Sequence, residues 1–221
     1  MFKRLKLIYN SDEFLGDIST IVFFGSLWGI VEATLGYLLH KINFSFGWCI
    51  WFPLAFYFMD KIYRKTRKAQ YMLYGAFIAS AIKLTNLFIE VRVDKVINPS
   101  ISIVLEAVAL LAVYKILEKK NKKVGLIGIG VVNISWRGLY AIYLLLMPRS
   151  FLIISPLRGL DRLLRFMLLE CIATTLIITS YIVVRERLSK NLTEEKKKGF
   201  STNPIISFSM FVFAIFLERF I

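Results

Sequence analysis

Residues 18–39 read ISTIVFFGSLWGIVEATLGYLL, 22 residues that carry a single ionisable side chain, Glu32. At about 1.5 Å of rise per residue, a helix of that length spans the hydrocarbon core of a bilayer. Inside that core every backbone N–H and C=O must be satisfied within the protein, and a helix does this by itself. Comparable runs cover 43–60, 71–90, 98–117, 124–147 and 163–184. A seventh candidate, 204–221, contains PIISFSMFVFAIF and ends close after Glu218-Arg219; at 18 residues it is at the short end for a span. The chain is 57% hydrophobic and only 20% charged, more apolar than a soluble domain needs. The expected fold is all-α: a polytopic membrane helix bundle, six spans plus the seventh candidate, forming one integral membrane domain over 1–221.

The first run starts only after Asp12, Glu13 and Asp17, and it lacks the short apolar core and small-residue cleavage site of a signal peptide. It reads as a retained helix. Cys49 and Cys171 both fall in apolar runs, form no CxxC, and read as core thiols. The net charge of +14 does not point to nucleic acid, because the basic residues cluster in the short connections between apolar runs.

That clustering sets the expected orientation. With the N-terminus inside, 19 Lys and Arg fall on the inner side and eight on the outer, while Lys83 and Arg137 lie within spans. The positive-inside rule then makes this a multi-pass cell-membrane protein with a cytoplasmic N-terminus. The inner connection RERLSKNLTEEKKKGFSTN is polar, whereas the outer PRSFLIISPLRGLDR mixes apolar residues with proline and arginines. The outer segment, 148–162, reads either as an interfacial stretch or as a lid.

Five charged residues lie well inside the six spans, clear of their ends: Glu32, Lys83, Glu106, Arg137 and Glu170. Each is costly facing lipid and is expected to face the bundle interior. Glu32, Lys83 and Glu170 lie seven residues from the outer ends of their spans, Glu106 about eight and Arg137 ten. All five are therefore expected roughly 10–15 Å below the outer surface, in one polar layer. Asn86 shares a helical face with Lys83 and Glu90, and Asn133 shares one with Arg137 and Tyr140. Gly25, Gly29 and Gly36 flank Glu32 and permit close helix approach. Pro53, beside the aromatics of FGWCIWFP, is expected to bend or unwind the second span.

The layer admits two readings. It is either a structural network, with Arg137 paired to Glu32 or Glu170 and Lys83 paired to Glu106, or a polar pocket open to the outside. The pocket would suit a cationic or zwitterionic solute. Its binding set would be Glu32, Lys83, Asn86, Glu106, Asn133, Arg137 and Glu170. The sequence holds no HExxH, GxSxG or phosphate-binding glycine loop, and one histidine, His40, at the outer end of the first span. No catalytic, cofactor or metal residues are assigned. A transporter built on 1–221 is expected to draw on an ion gradient or on separate energising subunits.

A small, basic bundle of about six helices with a polar layer in its outer half resembles the substrate-binding S component of energy-coupling factor transporters. The first helix of that family carries a small-xxx-small pattern, matched here by Gly25, Gly29 and Ala33. The resemblance covers residues 18 to about 184. It implies capture of a vitamin-like micronutrient, with a transmembrane coupling protein and ATPase subunits as partners through the Gly25-Gly29-Ala33 face. The family's sizeable first outer loop is reduced here to HKIN, so 148–162 would take the lid role. The alternatives are a structural or accessory membrane protein and, behind it, a membrane enzyme or ion-coupled carrier.

Overall fold

The computed structural model describes residues 2–42, 48–122, 124–153, 155–190 and 202–220, without the side chains of 2–11, His40 and Trp48. The helices are α1 (Phe2–Lys41), α2 (Trp48–Thr66), α3 (Gln70–Leu84), α4 (Asp94–Lys119) and α5 (Leu126–Leu146), then α6 (Leu160–Lys190) and α7 (Pro204–Phe220). No strand occurs among the described residues. A 3₁₀ turn, Thr85–Phe88, extends α3, and a π turn, Arg165–Leu169, interrupts α6.

Neighbouring helices close a ring in the order α1, α3, α4, α5, α6, α2 and back to α1. The seventh helix stands outside the ring, docked along α1 and touching α3. Its attachment is polar as well as apolar: the Ser207 hydroxyl donates to the Ser19 carbonyl at 2.8 Å, and the Thr20 and Thr202 hydroxyls lie 2.8 Å apart.

Four helical stretches are long and apolar enough to cross a membrane: Asp12–Leu39, Asp94–Lys119, Leu126–Leu146 and Leu160–Lys190. The other three fall short for separate reasons. The second half of α2 carries Asp60, Lys61, Arg64 and Lys65. The third helix has 15 residues and α7 has 17, below the usual spanning length of about 20. Nor is α2 unwound at Pro53: it stays helical through that residue, as α4 does through Pro99.

The surface is inverted relative to a soluble domain. Ile127, Leu145 and Leu146 of α5, Ile172 and Leu188 of α6 and Phe208 of α7 are exposed, while Asp60, Glu106, Asn133, Arg137 and Glu218 are buried. An apolar exterior around a polar interior suits lipid as the solvent.

The small residues of α1 serve this ring. A Cβ added at Gly25 would stand 2.9 Å from the Gly75 carbonyl oxygen, and one at Gly29 would stand 2.9 Å from Ile82 Cδ1. Ala33 is buried as well. Gly25 and Gly29, on the face expected to meet a coupling protein, pack against α3 of the same chain.

At the end opposite the cavity described below, polar clamps tie the ring. Asp60 accepts from Arg185 and, at 3.0 Å, from Tyr181. Tyr63 donates to Glu118 at 2.8 Å, and Lys68 reaches Asp17 at 2.6 Å.

Gly25→Ala should lower stability by about 1–3 kcal/mol, because its methyl would meet backbone that cannot give way. Gly16→Ala, with nothing within 4 Å of the added carbon, should not. Thermal unfolding of the two variants in detergent checks the difference.

Candidate functional site: a charged cavity inside the ring

The five charged side chains of the expected layer lie on five different helices, and all reach one cavity of about 750 Å³. Its walls include Glu32 of α1, Lys83 of α3, Glu106 of α4, Arg137 of α5, Glu170 of α6 and Asn86 of the 3₁₀ turn. Six of the seven expected binding residues thus face one space. That volume is in the range of small-molecule sites. Trp51, Phe52, Trp136, Tyr140 and Phe166 supply aromatic walls.

Asn133 is elsewhere. It is fully buried, one turn from Arg137, and turned toward α6. Its amide donates to Thr175 at 2.8 Å, and its oxygen accepts from Thr174 at 3.0 Å and Trp136 at 3.3 Å. It locks α5 to α6 and takes no part in the lining.

Arg137 is the most constrained cation, with 1% of its surface exposed. Its guanidinium packs against both of the perpendicular rings of Trp136 and Phe166, at 4.7 and 4.5 Å from their centres. One terminal nitrogen donates to Glu170 Oε2 at 3.2 Å and to the Phe166 carbonyl at 2.9 Å. The π turn prepares this acceptor. Over Arg165–Leu169 the ladder shifts, so that the Glu170 N–H bonds the Arg165 carbonyl and no longer that of Phe166. Arg165 itself approaches Glu170 from the half-exposed side, at 3.7 Å.

Lys83 does not pair with Glu106, contrary to the sequence expectation. It donates to Glu218 Oε1 at 2.7 Å, and Asn86 donates to the same oxygen at 2.8 Å. Glu218 comes from α7 and is 2% exposed. Sequence reasoning passed over it because it sits near the end of a short apolar run. The available signal was a cation and an amide on one face of the third span, needing an acid.

Glu32 and Glu106 are served differently. Glu32 Oε1 accepts from Trp28 Nε1 at 3.3 Å, one turn away on the same helix. Glu106 Oε1 accepts from Ser102 Oγ at 3.1 Å, again within its own helix. Among the described residues neither has a cation within ion-pair distance.

The rim is also ionic. Glu90, Asp94 and Lys95 line the cavity beyond the 3₁₀ turn, with Lys95 3.6 Å from Glu90. Arg92 pairs with Asp94, and that hydrogen bond raises the pKa of the guanidinium above its ordinary value. The expected lid lies beside the cavity. Asn98 donates to the Phe151 carbonyl at 3.0 Å and accepts from Tyr143 at 3.0 Å, pinning the Arg149–Leu152 turn near the start of α4. None of the described residues of 148–162 lines the cavity. The side chain of His40 and the last residue of the HKIN connection, Asn43, lie outside the described residues.

No group of three His, Cys, Asp or Glu suited to a metal ion occurs among the described residues. The chain matches no family model, and no curated protein or solved structure matches it.

Arg137→Met would leave Glu170 with only the half-exposed Arg165 for company, at a cost of about 3 kcal/mol. Adding Glu170→Gln should recover part of that loss. Denaturation of the single and double variants in one detergent measures the coupling.

Proposed function

We propose that this chain is a membrane protein that captures a small cationic or zwitterionic solute, as the substrate-binding component of an importer. One observation carries the reading. The cavity collects six carboxylates (Glu32, Glu90, Asp94, Glu106, Glu170 and Glu218) against three cations, Lys83, Lys95 and Arg137, and Glu32 and Glu106 are left without an ionic partner among the described residues. A purely structural network gains little from cavity carboxylates that no cation pairs directly, since each carries a desolvation cost that an ion pair would offset. A ligand that brings positive charge supplies the attraction. The work assigned to the protein is capture and reorientation, with no covalent step.

On this reading the chain crosses the membrane six or seven times, with its N-terminus cytoplasmic and the charged cavity in the outer half. The short α2 and α3 would cross as part of the ring, their ends shielded by longer neighbours. The arrangement agrees with the S component of an energy-coupling factor importer, with energising subunits as partners. Such partners would dock away from Gly25 and Gly29, whose surface α3 occupies. The second reading, a structural or accessory membrane protein, draws on the two ion pairs that the chain matches internally, Lys83–Glu218 and Arg137–Glu170.

Mass spectrometry of the purified protein should find a small polar solute bound. Glu32→Gln should then weaken that solute about tenfold or more, or about 1.4 kcal/mol. A protein that carries no solute, or whose affinity is indifferent to Glu32, would favour the structural reading. For orientation, cysteines introduced at Arg158 and Lys119 in a Cys49→Ser/Cys171→Ser background should differ. An impermeant thiol reagent applied to intact cells should label the former and spare the latter; the reverse pattern would invert the topology.

A further inference from the structure

The ionic matching inside the cavity is specific enough to choose between the two solute types left open above. Away from the rim the cavity holds four carboxylates, Glu32, Glu106, Glu170 and Glu218, and two cations, Lys83 and Arg137. Both cations are taken: Lys83 by Glu218, at 2.7 Å, and Arg137 by Glu170, at 3.2 Å. Two carboxylates remain, Glu32 on α1 and Glu106 on α4, both lining this one cavity. Glu106 is 4% exposed and its one hydrogen bond comes from a hydroxyl. Glu218 adds an acceptor oxygen, Oε2, that is buried without a partner. One buried donor, Arg137 Nε, also lacks a partner, but in charge the unmet demand of the site is for cations. A carboxylate or phosphate on the ligand would find only cations that are already matched.

Much of the remaining wall is apolar and aromatic. Trp51 and Phe52 come from α2 and Trp136 from α5. Such faces attract ammonium groups through their ring quadrupoles and also cover methylene chains.

We infer that the ligand of this cavity is a small organic dication of the aliphatic diamine or polyamine class, with one ammonium at Glu32, the other at Glu106, and its methylenes against Trp51, Phe52 and Trp136. The inference rests on the solute-capturing reading and narrows it. A single ammonium would leave one glutamate unmatched, and a zwitterion would add an anion to an acidic site. Two ammonium groups match the site in charge and in donors.

Calorimetric titration of the purified full chain tests this with 1,4-diaminobutane, spermidine, butylamine and 4-aminobutanoate at one ionic strength. The diamine or spermidine should bind about tenfold or more tighter than butylamine, and 4-aminobutanoate no tighter than butylamine. Glu32→Gln and Glu106→Gln should each shrink that advantage to about threefold or less, in variants whose elution profile matches that of the wild type. Equal binding of butylamine or 4-aminobutanoate would overturn the inference, as would no binding of either polyvalent amine, or an advantage that survives both substitutions. A copurified solute that depends on Glu32 but is not dicationic would overturn the inference and leave solute capture standing. A protein that binds no solute at all would overturn both.

Discussion

A carboxylate or an ammonium taken out of water must be matched, and that requirement organises this bundle. Lipid-facing positions cannot supply the match, so the charged side chains turn inward. Pairs on separate helices then specify which helices meet. Arg137 and Glu170 bring α5 to α6, Lys83 and Glu218 bring α3 to α7, and Arg185 and Asp60 bring α6 to α2. Apolar packing and close approach at Gly25 and Gly29 fill the remaining contacts. Buried pairs of this type are weak evidence for stability and better evidence for register, since removing one partner is far more harmful than replacing both.

The pairs also divide the molecule by task. At one end Asp60, Arg185, Tyr181, Tyr63 and Glu118 are fully engaged with one another and close the ring. At the other, Glu32 and Glu106 are held only by neighbours on their own helices. A ring tied by side-chain pairs at one end and acid-rich at the other is directional. The aromatic walls let the charged part of the cavity coexist with apolar ligand surface.

Much of this was legible in the sequence. The apolar runs fix helix number to within the connections, and the depth of Glu32, Lys83, Glu106, Arg137 and Glu170 along their runs predicts a common layer, because an antiparallel bundle converts position along a run into height. Height is all that such reasoning provides. Helical spacing puts Asn133 on the face of Arg137 but does not say which neighbour each residue meets, so Asn133 looked equivalent to Arg137 although it bonds Thr174 and Thr175. It does not contain neighbour order either, so Lys83 was matched to Glu106, when a seventh helix outside the ring delivers Glu218. The π turn was also hidden. Nothing in RFMLL announces an expanded turn, and its purpose is visible only once the Phe166 carbonyl is seen receiving Arg137. The length of α3 misled in a similar way, since the apolar pattern runs on through the 3₁₀ turn where the α-helix has stopped.

The place of Glu218 in the chain has a consequence for biosynthesis. Lys83 and Asn86 precede Glu218 by 135 and 132 residues, so the ribosome makes the cation and the amide well before the acid that joins them. Until then the ammonium lacks this counter-charge, and an unmatched lysine in an apolar surrounding is costly. Docking of α7 along α1 supplies the acid and adds Glu218 to the cavity wall, so this part of the site is completed only after α7 is made.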